Sequence, residues 1–315
     1  MTEPAISIVI PNWNGLVHLR DCLEAVGRQT LRPLETILVD NGSDDGSFDF
    51  VRDSFRGVHL IGLSRNYGFA YAVNRGIEAA RGELIALLNN DTEVDARWLE
   101  LLASALVENE KAGSAACKML NFFDRDIIDA AGDVLTRSGS PFSRGHGMKD
   151  DGSFDTRSPV FGACAGAALY RRKLFADVGL FDEQFISYYE DADLAFRAQL
   201  AGFTCTYVPQ AVCYHKKGAT TGSQYPARMM ERNLTAYYVK NFPWVVLMRK
   251  LPMILGGRVR RIFRSMLAGR GRSTWRGVLE GCLLIPSMLV KRHAVQRLRI
   301  VTSGYLCSFM EGNTE

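Results

Sequence analysis

The fold is decided by the stretch Leu84-Ile-Ala-Leu-Leu-Asn-Asn-Asp91, in which five apolar residues stop at two amides and a carboxylate. A short apolar run that ends in polar residues is typical of a buried strand followed by a loop. The same pattern occurs three times before it, at residues 6–10, 35–39 and 58–61. The sequence therefore predicts four short strands up to Asp91.

Between and after these strands, apolar residues recur at intervals of three and four, which is typical of amphipathic helices. The helices are predicted at residues 16–29, 48–55, 67–80 and 98–109. Four alternations of strand and helix predict right-handed βαβ units and an α/β fold with a mostly parallel central sheet flanked by helices. Ligands bind such sheets at the carboxyl ends of the strands, where Asp40 and Asp91 follow strands two and four.

The pattern is less regular in the rest of the chain. Residues 112–165 show no clear periodicity, and residues 139–157 are rich in Gly, Ser, Asp and Pro, which predicts a loop. A helix is predicted to begin near Glu190, and two strands are predicted to follow it, at residues 204–208 and 212–215.

The total charge of +4 conceals an uneven distribution along the 315 residues. Residues 244–315 contain 13 Lys and Arg against 3 Asp and Glu, a balance of +10, which leaves −6 for residues 1–243. We therefore expect two parts, a folded domain at residues 1–243 and a basic, amphipathic helical C-terminal extension at residues 244–315. Apolar stretches rimmed by Arg and Lys fit helices that lie on an anionic membrane surface. The alternative is a helical extension that packs on the domain and leaves its arginines solvated.

Composition and cysteine usage narrow the class of protein. Apolar residues make up 47% and charged residues 23%, which excludes a disordered or fibrous protein. The seven cysteines form no CxxC pair, so we expect neither a zinc site nor a disulfide framework, but buried thiols in a reducing compartment. The N-terminus lacks the features of a signal peptide, and no apolar run is long enough for a transmembrane helix. We expect a cytoplasmic protein, peripheral on the inner face of the cell membrane.

Several common active-site motifs are absent from the sequence. The first strand is followed by Pro11-Asn-Trp-Asn-Gly15 rather than GxGxxG, which argues against a dinucleotide site. Neither GxxxxGK[ST] nor GxSxG occurs, which argues against a P-loop nucleotidase and an α/β-hydrolase.

The remaining candidates for chemistry are acidic side chains and one histidine, namely Asp40, Asn89-Asn90-Asp91, the pair Glu190 and Asp191, and His215. Carboxylates at strand ends supply the hard oxygen ligands that Mg²⁺ and Mn²⁺ prefer, often beside phosphate oxygens of a substrate. A carboxylate near a helix start can act as a general base. Taken singly, an Asp at such a position is more often a helix cap, so their joint order carries the argument.

That joint order resembles the family 2 glycosyltransferases, which have the GT-A fold, over about residues 5–220. The motifs that carry the resemblance are Ser7-Ile-Val-Ile-Pro-Asn-Trp-Asn14, Val39-Asp-Asn-Gly-Ser-Asp-Asp-Gly-Ser47, Asn66-Tyr-Gly-Phe-Ala-Tyr-Ala-Val-Asn-Arg-Gly76, Leu87-Leu-Asn-Asn-Asp-Thr92 and Phe181-Asp-Glu-Gln-Phe-Ile-Ser-Tyr-Tyr-Glu-Asp-Ala-Asp-Leu194. The Asn-Asn-Asp and Tyr-Tyr-Glu-Asp-Ala-Asp-Leu segments look most like those of bacterial rhamnosyltransferases and galactofuranosyltransferases.

The resemblance implies a role for each matched residue. Asp191 would be the catalytic base, and Glu190 would position it or contact the acceptor. Asp91 would bind the metal, Mg²⁺ or Mn²⁺, although Asn89 replaces the first acid of the family's DxD motif. His215 would be a further metal ligand; the alternatives are a packed or surface histidine, with Lys216-Lys217-Gly218 binding diphosphate by charge. Nucleotide-binding residues would be Pro11, Asn14, Asp40, Asn66, Gly68 and Asn90, with Asp40 on the pyrimidine ring, and residues 162–166 would form the acceptor-side loop.

The resemblance also implies an activity, with residues 1–243 as the GT-A catalytic domain. An inverting, metal-dependent glycosyltransferase would move L-rhamnose from dTDP-rhamnose to a saccharide or lipid-diphosphate-linked acceptor in polysaccharide synthesis. The alternatives are a UDP-sugar donor, for a galactofuranosyl, glucosyl or N-acetylhexosaminyl transfer, or a sugar-nucleotide-binding protein without catalysis. The basic extension would bind an anionic membrane surface and no nucleic acid, since its apolar stretches argue against solvated nucleic-acid contacts. Oligomer formation stays open.

Overall fold

The computed structural model describes residues 4–216 and 225–311. The four strand–helix repeats of the N-terminal part form as predicted, to within two residues at each boundary. Their bounds are β1 (Ile6–Asn12), α1 (Leu16–Gly27), β2 (Glu35–Asp40), α2 (Ser47–Ser54), β3 (Val58–Gly62), α3 (Phe69–Ala79), β4 (Leu84–Leu88) and, after β5 (Thr92–Val94), α4 (Trp98–Glu108). Strands β1 to β4 pair in parallel in the order β3-β2-β1-β4.

The second half of the sheet forms regular strands, although the sequence of residues 112–165 shows no clear periodicity, and it combines parallel with antiparallel pairs. Its elements are β6 (Ala112–Asn121), β7 (Ile128–Ala131), β8 (Asp133–Leu135), β9 (Pro141–Ser143), β10 (Ser158–Val160), β11 (Ala167–Arg171), α5 (Arg172–Val178), a 3₁₀ turn (Glu183–Phe185), α6 (Glu190–Leu200) and β12 (Thr204–His215). Strand β11 runs antiparallel between β4 and β6, and β6 continues in parallel to β12. The two strands predicted at residues 204–208 and 212–215 are one strand, β12, with a bulge between Val208 and Val212.

Both faces of the sheet are covered, because side chains alternate along each strand. Ile8 and Ile10 of β1 point to the face covered by α1 and α4, where they meet Leu19 and Leu102. Val9 points to the opposite face, which α3 covers. The prediction of an α/β fold with a central sheet flanked by helices is therefore confirmed.

Four helices follow, namely α7 (Tyr225–Asn241), α8 (Trp244–Leu267), α9 (Gly271–Arg297) and α10 (Ser303–Glu311). They form a third apolar cluster with α6, in which Phe196 meets Tyr237 and Phe242. Helix α9 lies close against α7, since a Cβ atom at Gly277 would stand 2.2 Å from the carbonyl oxygen of Arg228. The C-terminal helices thus pack on the sheet domain while keeping an exposed apolar face. Within the described residues, none of the helices combines the length and the hydropathy that a membrane span requires.

Candidate active site

A cleft of about 710 Å³ opens at the carboxyl ends of β1, β2 and β4. The loops that follow these parallel strands meet there, as expected for such a sheet. Four of the six predicted nucleotide-binding residues line the cleft, together with the predicted metal ligand Asp91; the four are Pro11, Asn66, Gly68 and Asn90. The other residues of the cleft wall are Asn12, Trp13, Asn41, Tyr67, Phe69, Asn89, Ile186, Ser187 and Tyr225.

A chain of amides and one carboxylate fixes the floor of the cleft. The Asn90 side-chain amide donates to Oδ1 of the Asn12 side chain at 2.5 Å, and Nδ2 of Asn12 donates to Asp40 at 2.8 Å. Asp40 is buried behind the cleft wall, and Ser43 donates to its two oxygens from the hydroxyl and the backbone N–H, at 2.6 and 3.0 Å. Asn14, at a φ of 51°, exchanges two hydrogen bonds with Asp44. Asp40 and Asn14 therefore hold the loops that form the cleft.

The opposite wall is fixed by Asn41. Its amide donates to the Asn66 side chain and to the Gly68 carbonyl, and its oxygen accepts from the backbone N–H of Tyr67. Gly68 has a φ of +94°, a conformation that side chains disfavour. A Cβ atom there would stand 2.5 Å from the Ile186 side chain. Glycine at position 68 is thus required for this wall to contact the turn that leads to α6.

Sheet pairing brings Asp91 and His215 together at one end of the cleft. Strand β5 pairs with β12 so that Thr92 lies opposite His215, and His215 Nε2 is 3.4 Å from Asp91 Oδ1. The other ring nitrogen, Nδ1, contacts Asp129 of β7 at 2.7 Å. Burial alone would lower the pKa of His215, but the two carboxylates outweigh it and raise that pKa to about 9. Sequence reasoning missed Asp129, because its role depends on the pairing of β7 with β6.

The predicted metal site has two protein ligands, Asp91 and His215. Over residues 4–216 and 225–311, no group of three or more His, Cys, Asp and Glu side chains is arranged to hold a metal ion. Asp91 and His215 still suit a divalent cation, since an imidazole that ligates a metal commonly hydrogen-bonds a carboxylate through its other nitrogen. Lys216, the alternative diphosphate ligand, contacts Asp21 at 2.5 Å and lies over the Phe122 ring. Lys217 and Gly218 lie outside the described residues.

The predicted base and the predicted acceptor loop meet at the start of α6. Asp191 is half-buried, and its oxygens accept from the backbone N–H groups of Ala192 at 2.8 Å and Ala165 at 3.4 Å. Burial raises the pKa of Asp191. Glu190 is buried, and one of its carboxylate oxygens has no hydrogen-bond partner. Burial and then the charge of Asp191 raise the pKa of Glu190 well above its usual range.

A third carboxyl group on this side, Asp133, was not found from the sequence. It is 8% exposed, and its backbone pairs with Gly162 of the acceptor-side loop. Burial and then the charge of Asp191 raise the pKa of Asp133 to about 8, although Ser143 donates a hydrogen bond to it. The loop thus lies between two carboxyl groups, with Asp133 paired to its start and Asp191 bound near its end.

The last acid of the motif, Asp193, has a different environment. It is fully buried and accepts from Arg197, Lys240 and Asn241 at 2.8 to 2.9 Å. Burial would raise the pKa of Asp193, but Lys240 and Arg197 keep it below its usual range. Asp193 therefore anchors α6 to α7 as a charged group, whereas burial raises the pKa of both Glu190 and Asp191.

Comparison with known proteins shows which family the chain is similar to. A sequence model described as "Glycosyl transferase family 2" matches residues 7–179, more than half of the chain. An N-acetylglucosaminyl-diphospho-decaprenol L-rhamnosyltransferase of Mycobacterium tuberculosis is 26% identical over 328 residues, which covers 95% of this chain and 96% of that protein. The uncharacterized protein y4gI of Sinorhizobium fredii is 29% identical over 236 residues, and this chain spans only 25% of its length.

Solved structures share the architecture. The mannosyltransferase PcManGT from Pyrobaculum calidifontis, in complex with GDP-Man and Mn²⁺, superposes with a TM-score of 0.55 at 16% identity, over 94% of this chain and 86% of that one. GalNAc-T7 with UDP, GalNAc and Mn²⁺ gives a TM-score of 0.60 at 17% identity, over 75% of this chain and 48% of that one. At these identities the likeness shows the fold alone.

Proposed function

The chain belongs to glycosyl transferase family 2 and is a glycosyltransferase with the GT-A fold, and from that premise we propose that it transfers L-rhamnose from dTDP-rhamnose to a saccharide or lipid-diphosphate-linked acceptor. The observation that carries this donor and acceptor is the end-to-end alignment with the mycobacterial L-rhamnosyltransferase. A UDP-sugar is the alternative donor, for a galactofuranosyl, glucosyl or N-acetylhexosaminyl transfer. The product would be part of a cell-surface polysaccharide.

Asp191 is the proposed catalytic base. Its carboxylate removes the proton from an acceptor hydroxyl, the acceptor oxygen bonds to the anomeric carbon, and the bond from that carbon to the nucleoside diphosphate breaks with inversion. Its contact with Ala165 supports this role, because it brings the carboxylate to the acceptor-side loop. The raised pKa of Asp191 supports it too, since a base of higher pKa accepts a proton more readily. Glu190, buried beside it, positions Asp191.

The cleft is the proposed donor site. Pro11, Asn66, Gly68 and Asn90 line it and would contact the nucleotide. The exposed ring of Trp13 offers a face on which a base can stack. Asp40 and Asn14 would act through the loops that they hold, so that a role of Asp40 toward the pyrimidine ring would be indirect.

Asp91 and His215 are the proposed ligands of Mg²⁺ or Mn²⁺. They would supply a hard carboxylate oxygen and, once the cation displaces the Nε2 proton, an imidazole nitrogen, and Asp129 orients the imidazole. When bound, such a cation neutralises negative charge on a diphosphate leaving group.

Substitution of the base separates catalysis from binding. We expect Asp191→Asn to lower kcat by roughly 10²- to 10⁴-fold, the usual contribution of a general base, with little change in the Kd of the donor. Nucleotide release from dTDP-rhamnose and from UDP-sugars would be measured with and without Mn²⁺ or Mg²⁺. Asp151→Asn, on an exposed loop, is the control. Wild-type turnover of Asp191→Asn would contradict the assignment of the base, and release from UDP-sugars alone would contradict the donor.

The same assay tests the metal ligands. Asp91→Ala should abolish the stimulation by added Mn²⁺ together with the activity. Calorimetry should then show that Mn²⁺ no longer binds in the presence of nucleoside diphosphate. Full activity of the wild-type enzyme in EDTA would exclude a metal requirement.

The C-terminal helices are the proposed membrane-binding element, on the inner face of the cell membrane. The end of α8 and the start of α9, residues 263–279, expose apolar and basic side chains together, namely Phe263, Arg264, Met266, Leu267, Arg270, Arg272, Trp275, Arg276 and Leu279. Such a mixture suits the interface of an anionic bilayer. We call residues 263–279 the helical tip.

Vesicle binding tests this element with substitutions of exposed residues, which leave the packing of α9 against α7 intact. The double variant Trp275→Ala/Leu279→Ala should reduce sedimentation with phosphatidylglycerol vesicles at least several-fold. Phe123→Ala removes an aromatic residue that is even more exposed, from the sheet domain, and is the control. Unchanged sedimentation of the double variant would contradict the proposal, and a salt-dependent DNA shift would favour nucleic acid as the partner.

A further inference from the structure

The turn before Glu190 and Asp191 has an unusual backbone. Ile186, Tyr188 and Tyr189 have φ values of 64°, 70° and 69°, and none of them is glycine. A β-branched or bulky residue at positive φ is a genuine outlier with a strained backbone. Three of them within four positions persist only when the surroundings hold them in place.

A single buried side chain holds the turn in place through hydrogen bonds. Asn233 of α7 is fully buried, and its Nδ2 lies 2.7, 2.8 and 2.7 Å from the carbonyl oxygens of Phe185, Ser187 and Tyr188. Its Oδ1 accepts from Arg232 at 2.6 Å, which fixes which end of the amide faces the turn. Without Asn233 the three carbonyls would lose a shared donor, and a buried carbonyl without a partner destabilises the arrangement that buries it.

The same turn joins the donor cleft to the proposed base. Ile186 and Ser187 line the cleft, and the Ile186 carbonyl accepts from the N–H of Ala70, next to the Gly68 wall. Asp191 follows four residues after Ser187. A shift of the turn would therefore move Asp191 relative to a bound donor.

Helix α7 also holds the far side of the base. Lys240 and Asn241 bind Asp193 at 2.8 and 2.9 Å, two residues beyond Asp191. Glu190 and Asp191 are thus held from both sides by one helix, through Asn233 before them and Lys240 and Asn241 after them.

We propose that Asn233 is a positioning residue of the transfer reaction, which holds the turn at residues 185–188 so that Asp191 faces the acceptor while the donor occupies the cleft. The inference rests on the proposed role of Asp191. A side chain on α7, outside the residues matched by the family model, then determines the placement of the base. Loss of the hydrogen bonds from Asn233 to the turn displaces the base but leaves the rest of the donor cleft in place.

Three substitutions test it, Asn233→Ala, Asn233→Ser and Asn233→Asp. A displacement of about 1 Å can cost 10²-fold in rate, so we expect kcat to fall by roughly 10- to 100-fold in Ala and Asp and less in Ser, which keeps a donor. The Kd of the donor should change by less than about threefold. The acid limb of the kcat–pH profile should move, because the burial of Asp191 changes. The control is Glu280→Gln, which breaks an ion pair between α7 and α9 without touching the turn.

The outcomes separate this inference from the proposed function. A folded Asn233→Ala variant with kcat within twofold of wild type, or with a loss matched by Glu280→Gln at equal stability, would overturn it. Loss of the fold in all three variants would assign Asn233 to overall stability and would overturn it as well. If Asp191→Asn is inactive while the Asn233 variants are active, the inference fails alone. If Asp191→Asn is fully active, the proposed base fails instead.

Discussion

Replacement of Asp133 by Asn should stabilise the protein at alkaline pH and leave its stability nearly unchanged in acid. Asp133 is 8% exposed, and its pKa is raised to about 8 by burial and then by the charge of Asp191. An exposed aspartate in the unfolded chain has a pKa of about 3.9. The folded protein therefore holds a proton on Asp133 that the unfolded chain releases between about pH 4 and pH 8.

The sign and the size follow from this difference. Below about pH 4 the group is protonated in both states and contributes nothing. As the pH rises, the unfolded state loses its proton first, so the free energy of unfolding falls until the folded group also ionises near pH 8. Four pKa units at about 1.4 kcal/mol each set an upper limit on the order of 5 kcal/mol. Asparagine does not ionise and can still accept from Ser143, so we expect the variant to gain roughly 2–3 kcal/mol at pH 9.

Calorimetry at pH 5, 7 and 9 measures the effect. At about 1.5 °C per kcal/mol for a chain of this size, the Tm of Asp133→Asn should exceed that of wild type by roughly 3–5 °C at pH 9 and by much less at pH 5. Asp126→Asn removes an exposed carboxylate from the same part of the chain and should shift Tm equally little at all three pH values. A Tm difference for Asp133→Asn that does not grow with pH would refute the reasoning.

Three further predictions concern other parts of the molecule. The raised pKa of Asp191 predicts that the rising limb of kcat/KM against pH lies above the usual range of an aspartate near pH 4, and a limb at pH 4 would contradict it. Gly76→Ala should destabilise the fold by about 1–3 kcal/mol in urea titrations, because its Cβ atom would stand 2.2 Å from Val9; Gly57→Ala, with open space around it, is the control. Asp193→Leu should cost about 3–5 kcal/mol, since it leaves the buried Arg197 without its carboxylate and Lys240 with Asp182 alone, and a loss below 1 kcal/mol would be inconsistent with that role.

The predictions that were confirmed depend on short stretches of sequence. The strand–helix repeats from β1 to α4 form as predicted, because each carries its own apolar period and its own turn signal. The position of Asp91 at the cleft followed from the same pattern, since the carboxyl ends of parallel strands meet at one edge. The order of the motifs was enough to identify the family.

The features that were missed depend on pairings between distant segments. Strand β6 contains Ala, Gly, Ser and Cys residues without alternation, and it is a strand because β11 and β12 flank it. Asp133 looks like a loop residue in the sequence and acquires its raised pKa from burial in the fold and then from the charge of Asp191. Asn233 lies 42 positions after Asp191, and nothing near it in the sequence indicates that it binds the turn at residues 185–188.

The charge asymmetry shows the same dependence on distant contacts. Arg261 pairs with Glu231 and Lys291 with Asp182, so part of the +10 of residues 244–315 neutralises acids of residues 1–243. Lys291 and Lys240 together hold the pKa of Asp182 at about 2 against the effect of burial. The two regions of opposite sign therefore neutralise one another in part where they pack together. The proposed membrane binding would then depend on the exposed cations of the helical tip, and its salt dependence should correspond to those few charges rather than to all thirteen basic residues.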